Sequence, residues 1–275
     1  MLVRNLALVN QSKSIHAAEL NEVAAALQKQ ITRDVSPIWN LEATINIFHT
    51  LKAIPVGYWP IIIKDNIHQA GAGGFHTTKH NQPFALVEAG PDWIISTSHE
   101  TIEMLVDPSG NHIVTGDSIK PGQGRVQYLL EACDPCEAGQ YAYSINGITV
   151  SDFITPHFHD PVAASGVRYS FTGSITAPRQ ILPEGYISWY EPASQTIWQA
   201  FNVHNQLKFK ELGSSPGGFS LREFVDARTN VKAYFETLNE NKILGNTNTS
   251  TRQKSSEAAG VILEEALRKL GHDVQ

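Results

Sequence analysis

Ser96-Thr97-Ser98-His99-Glu100-Thr101-Ile102-Glu103-Met104-Leu105-Val106-Asp107-Pro108 is the stretch that decides both fold and chemistry. Asp92 to Asp107 is predicted as a helix, because Pro108-Ser109-Gly110-Asn111 behind it is strong stop chemistry. Positions four apart stack on one helix face, so His99, Glu103 and Asp107 form a single stripe. Two ligands at that spacing can share one metal ion. Glu100 sits about 100° round from His99, where a carboxylate can reach a metal-bound water as general base. Ile95, Ile102 and Val106 lie near the stripe, which turns this face inward. An imidazole and a carboxylate facing inward need partners, since unpaired buried charge is costly.

Upstream, residues 16–34 carry Leu20, Val23, Ala24, Leu27 and Ile31 at three- and four-residue steps, predicting an amphipathic helix that Ser36-Pro37 ends. Trp39 to Phe48 alternates in part, as a half-buried strand does, and Tyr58 to Ile63 reads as a more buried one. Asp65 to His76 reads as a Gly-rich loop and Pro83 to Ala89 as an edge-like third strand. Downstream the pattern shortens to strands and turns. Arg125 to Cys133 reads as extended, Tyr141 to Phe153 as a hairpin around Asn146-Gly147, and Gly185 to Tyr190 as a further strand. Residues 212–218 read as a linker, Phe219 to Leu238 and Ala258 to Leu270 as helices, and Gly245 to Arg252 as a polar tract with nothing to bury. The expected organisation is an α+β domain over residues 1–211, a mixed sheet packed on helices with a β-rich continuation. A linker and helical C-terminal extension follow over 212–275.

The segment around His99-Glu100-x-x-Glu103 resembles the active-site helix of the zincin metallopeptidases, whose signature is His-Glu-x-x-His. The order of elements agrees: an N-terminal helix, strands, an edge-like strand and then the site helix. The resemblance covers roughly residues 16–160 and extends to Glu131-Ala132-Cys133-Asp134-Pro135-Cys136-Glu137, about where zincins supply a third ligand. It implies a zinc-dependent hydrolase, a peptidase if active, acting on a peptide or protein. The departure is Glu103 in place of the second histidine, which zinc accepts but which makes the site harder and more anionic. The string from Ser98 to Pro108, with Asp134-Pro135-Cys136-Glu137 and Val150 to Pro156, is also similar to a group of uncharacterised bacterial proteins, which supplies no activity.

The implied ligands are His99, Glu103 and Glu131, with Glu100 as the catalytic base. Asp107 competes for the third place, although a residue before Pro108 is also a natural helix stop and turn cap. Asp134 and Glu137 flank Pro135 and read as turn residues. Tyr186, in Pro183-Glu184-Gly185-Tyr186, lies where some zincins place a turn beneath the metal and a tyrosine near it. An oxygen-rich alternative would put Ca²⁺ among Glu103, Asp107 and Glu131. Cys133-x-x-Cys136 with His157-x-His159 can in principle form a structural zinc site, against the simpler reading of two reduced cysteines. His68, His76 and His80 read as residues of a solvated loop, with His76 a candidate for the substrate side. The second class of function is a catalytically inactive zincin-like scaffold or binding module.

Composition narrows the classes further. The longest apolar run, Trp59 to Ile63, is closed by Lys64-Asp65, far short of the roughly 20 residues of a spanning helix, so no membrane segment is expected. A net charge of -6 without a clustered basic stripe argues against a nucleic-acid binder. Two cysteines are too few for a disulfide scaffold at this length, and the N-terminus lacks a secretory pattern, so a cytoplasmic location is expected.

Overall fold

The computed structural model describes residues 2–69, 71–79, 81–214, 221–226 and 228–229. The fold is α+β, as the sequence implies. The first sheet is built by β1 (Val3–Asn10), β2 (Glu42–Ile47), β3 (Tyr58–Lys64), β4 (Gly74–Lys79) and β5 (Gln82–Glu88). Its order is β2-β1-β3-β5-β4, parallel throughout except for β4, which runs antiparallel to β5 at the edge. Both faces are covered. Leu6, Leu8, Ile61, Ile63, Ala85 and Val87 belong to the main core, whereas Val9, Ile62, Phe84 and Leu86 pack with Leu51 and Ile67. Burial on both faces explains why these strands read as continuous apolar runs and not as alternation.

Two expectations are corrected here. Pro83 to Ala89 is not the edge: β5 lies between β3 and β4, and the edge is β4, inside and just after the segment read as a Gly-rich loop. The first helix does not stop at Ser36-Pro37. Helix α1 (Ala17–Gln30) passes through a π-turn (Ile31–Val35) into α2 (Ser36–Trp39), and Asn40 ends it in the left-handed region with φ 51°. Pro37 occupies the first turn of α2, where its missing N–H costs little.

Helix α3 (Trp93–Val106) carries the His99 motif and packs against β5 and β4. Its two threonines satisfy their hydroxyls within the helix: Thr97 Oγ1 donates to the Trp93 carbonyl and Thr101 Oγ1 to that of Thr97, both at 2.6 Å. Ser98 ties it to its neighbours by donating to Gln30 Oε1 of α1 (2.8 Å) and accepting from the Ser151 N–H (3.0 Å).

The second sheet is antiparallel. It contains β6 (Ile113–Asp117), β7 (Arg125–Leu129), β10 (Tyr186–Glu191), β11 (Thr196–Val203) and β12 (Gln206–Ser214) in the order β12-β11-β10-β7-β6. A small hairpin, β8 (Tyr143–Ile145) and β9 (Ile148–Val150), turns at Asn146 and Gly147, whose φ values of 54° and 84° are those such a turn requires. Helix α4 (Leu221–Asp226) returns to the first half of the chain. Its Leu221 and Arg222 N–H groups donate to Asn111 Oδ1 and the Gly110 carbonyl, while Phe224 and Val225 pack on Leu129, Ile197 and Leu212. Most of the linker expected over 212–218, the rest of the C-terminal helices, the 245–252 tract and His80 lie outside the described residues. Among those described, no helix is long and apolar enough to cross a membrane.

Candidate metal centre

Helix α3 turns His99 and Glu103 toward the segment after β7. There Asp134 opens a 3-10 turn (Asp134–Cys136) and extends its carboxylate back to the helix. His99 Nε2 lies 3.2 Å from Glu103 Oε2 and 3.2 Å from Asp134 Oδ1. Zinc bonds of about 2.0–2.1 Å imply ligand-to-ligand edges of about 3.3 Å in a tetrahedron, so this spacing suits one shared ion. Three groups of side chains capable of holding a metal lie here, the atoms of each within 4.8 Å of one another: His76, Glu100 and Glu103; His99, Asp134 and Glu137; and Glu103, Glu131 and Asp134. The chain thus has buried clusters of His, Glu and Asp able to coordinate a cation.

Of the residues expected from sequence, His99 and Glu103 are adjacent, and Glu131 lies with Glu103 and Asp134. Glu131 is not on a strand, because β7 ends at Leu129, and its carboxylate meets the Arg222 guanidinium. Asp107 takes the turn-cap role: its carboxylate accepts the N–H groups of Asn111 (3.2 Å) and His112 (2.8 Å) and the Ser109 hydroxyl. The all-oxygen group is therefore Glu103, Glu131 and Asp134, and Asp107 does not belong to it. Tyr186 starts β10 and lines the cleft; burial, and then the charges of Asp134 and Glu137, push its hydroxyl upward.

Glu100 is buried beside the motif and meets His76 of β4, whose Nδ1 is 3.3 Å from Glu100 Oε2. The other ring nitrogen, Nε2, is 3.2 Å from the Asp107 carbonyl. A carbonyl only accepts, so Nε2 donates there and Nδ1 is left to face Glu100. Far from sitting in a solvated loop, His76 is fully buried and clamps the edge strand to the site helix. Gly74 allows the close approach: a Cβ there would lie 2.8 Å from Glu100 Cγ.

Sequence reasoning missed Arg222 altogether. Its Nη1 donates to Glu103 Oε2 at 3.1 Å and also meets Glu131, while Nε donates to both oxygens of Asp226 at 3.1 and 3.2 Å. Glu103 Oε2 thus has His99, Arg222 and, at 3.8 Å, His76 around it, and Oε1 accepts the Cys133 N–H at 3.0 Å. Burial disfavours its charge, but His99 and Arg222 outweigh that and hold it well below the ordinary carboxylate range. Burial likewise opposes a charged His99, yet Glu103 and Asp134 hold it well above its ordinary value. Burial pushes Glu131 well up, and burial followed by the Glu103 charge pushes Asp134 up to about 6. Four buried carboxylates, on Glu100, Glu103, Glu131 and Asp134, confront one guanidinium and two imidazoles. The raised Glu131 and Asp134 hold protons more readily than free carboxylates do, which relieves part of that crowding.

The cysteine alternative does not assemble. Cys133 and Cys136 are buried free thiols that burial pushes upward, and no metal-capable group among the described residues includes either sulfur. His157 is exposed and pairs with Asp160, while His159 packs against Tyr128 and Phe158, with burial lowering it to about 4.

The cluster opens into a cleft of about 620 Å³ bounded by Gly71 to Phe75, by Ser96, His99 and Glu100 of α3, and by Tyr186. Neither a protein-family model, nor a curated protein, nor a solved structure matches the chain. Its functional reading rests on the chemistry of this centre.

Proposed function

We propose that this chain is a zincin-like metal-dependent hydrolase that cleaves peptide bonds, with Zn²⁺ held by His99, Glu103 and Asp134. The observation that carries the reading is the approach of two carboxylate oxygens, Glu103 Oε2 and Asp134 Oδ1, each to 3.2 Å from Nε2 of His99, a residue that lines the cleft. The donor set of one imidazole and two carboxylates is acceptable to zinc, and crowded buried carboxylates are relieved by a cation as well as by protons. Glu131, with a buried carboxylate beside Glu103, is the reserve ligand. The chain order β1, α1, β2, β3, edge strand β4, β5 and site helix α3 keeps the succession of helix, strands and site helix that the zincin resemblance implies.

Bound zinc would polarise the scissile carbonyl and acidify a water molecule. Glu100, beside the ligand pair, takes the proton from the attacking water and delivers it to the leaving amine. His76 Nδ1 lies against Glu100 Oε2, which leaves Oε1 for this exchange. The edge strand β4 borders the cleft, and an extended substrate pairs its backbone there. A second reading, an inactive scaffold, is favoured by Arg222 resting on Glu103.

Elemental analysis of protein purified without chelator should give about one zinc per chain, lost in His99→Ala and in Asp134→Asn. Glu100→Gln should keep zinc and fold while hydrolysis of a peptide library drops about 10²–10⁴-fold. Wild-type protein that retains no zinc and takes up none on titration refutes the metal centre. Stoichiometric zinc without hydrolysis leaves the scaffold reading in place.

A further inference from the structure

Arg222 belongs to a helix 119 residues beyond Glu103 in the chain, yet its guanidinium is buried in the middle of the carboxylate cluster. Nη1 is 3.1 Å from Glu103 Oε2, the oxygen that also lies 3.2 Å from His99 Nε2 and belongs to the ligand set proposed above. The same nitrogen meets Glu131 Oε2, while Glu131 Oε1 is buried with no hydrogen-bond partner among the described residues. A guanidinium so placed supplies part of the positive charge that a metal would bring. It also stands where the second coordinating carboxylate must turn toward the ion. Two cations cannot share that oxygen at full strength in a dry site.

Resting on the metal-centre reading, we infer that α4 is a cis-acting latch whose Arg222 competes with the divalent cation for Glu103 and Glu131. The device has two positions built into it. Nε is held by Asp226, one turn along α4, independently of the Nη1 contacts, so the side chain has a carboxylate to remain on when Nη1 leaves the centre. Among the described residues, α4 is further anchored by the Leu221 N–H on Asn111 Oδ1, the Arg222 N–H on the Gly110 carbonyl and the packing of Phe224 and Val225. Helix α3 packs against β4, β5 and β9 and bonds to α1. Arg222 and Asp226 both line the cleft, so whatever moves α4 also changes access to His99 and Glu100. The latched protein has a weakened metal site and a narrowed cleft; the unlatched one is open to both ion and substrate.

The test measures zinc affinity by competition with a chromophoric chelator, on the full chain, for wild type, Arg222→Gln and Arg222→Met. The two replacements differ in polarity, so an effect common to both reports the lost guanidinium charge, and both leave every proposed ligand in place. Removing the competitor should tighten zinc by about tenfold or more, since apparent affinity rises as the binding-competent fraction approaches one. In wild type, zinc should speed amide hydrogen exchange across Leu221–Asp226. Unchanged or weaker affinity in both variants, with zinc still lost in His99→Ala, overturns the latch and spares the metal centre. Zinc-saturated wild type with slower or unaltered exchange in α4 also overturns it. No zinc binding in any of the proteins removes the metal centre and the latch together.

Discussion

Gly185 sits where no side chain fits, and what stands in the way is backbone. A Cβ at this position would lie 2.6 Å from the Pro135 carbonyl oxygen, 2.8 Å from its carbon and 2.9 Å from the Asp134 carbonyl oxygen. None of these atoms can rotate aside as a side chain can, and the Pro135 oxygen is already fixed by the Leu182 N–H at 2.9 Å. Gly185→Ala therefore has to push the Asp134–Cys136 turn away by about 0.8 Å to restore ordinary contact. Such overpacking costs about 1–3 kcal/mol. For a chain of this size that is a fall in melting temperature of about 2–5 °C. The same displacement moves Asp134 relative to His99, whose 3.2 Å spacing is the core of the proposed ligand set. Ligand geometry must hold to about 0.5 Å, so zinc affinity should fall at least about tenfold. Thermal melts of the metal-free protein and chelator competition measure the two effects separately. A variant as stable as the parent and equally tight for zinc refutes the wedge. Lost stability with unchanged affinity shows that Asp134 is not a ligand.

In the metal-free protein Asp134, raised to about 6, gives a stability contribution that is complete below its ordinary 3.8 and is lost as pH rises through about 6. His99, held well above 6.5, acts in the same sense at higher pH, whereas Glu103, held low, loses its contribution only as pH falls into strong acid. The melting temperature of metal-free protein should therefore fall between pH 5 and pH 8, in about that range, and zinc should flatten the profile. A metal-free profile that rises over the interval contradicts the assignment. Replacing Cys133 and Cys136 together by Ala should leave zinc content unchanged by elemental analysis. Loss of the metal in that variant moves the centre to the thiols.

The site helix, the Asn146-Gly147 hairpin and the buried β3 were legible because each is set by local chemistry: a stop signal, a positive-φ dipeptide, an apolar run. Strand β1 escaped notice because a strand buried on both faces shows no alternation, and its Leu6-Ala7-Leu8-Val9 run is short. The edge strand β4 was hidden by its own composition, glycines and polar residues that fit a loop equally well. Its glycines are there because α3 comes close, and His76 is polar because it clamps Glu100. Asp134 looked like a turn residue and is one, yet its carboxylate also reaches His99. Arg222 could not be found from spacing, since only the tertiary fold brings it across 119 residues to Glu103.

The position of β1 has a consequence for how the chain is made. Val3–Asn10 is the middle of a parallel trio, with β2 on one side and β3 on the other. Parallel partners cannot close as hairpins, so each must wait for a crossover. During synthesis this apolar strand is made before either neighbour, and one of its hydrogen-bonding edges stays open until β3 has been made. Unpaired strand edges are templates for association with other chains. Nascent protein should therefore be most prone to stick before β3 is complete, and slowing elongation before β3 should lower the yield of folded product more than slowing it afterwards.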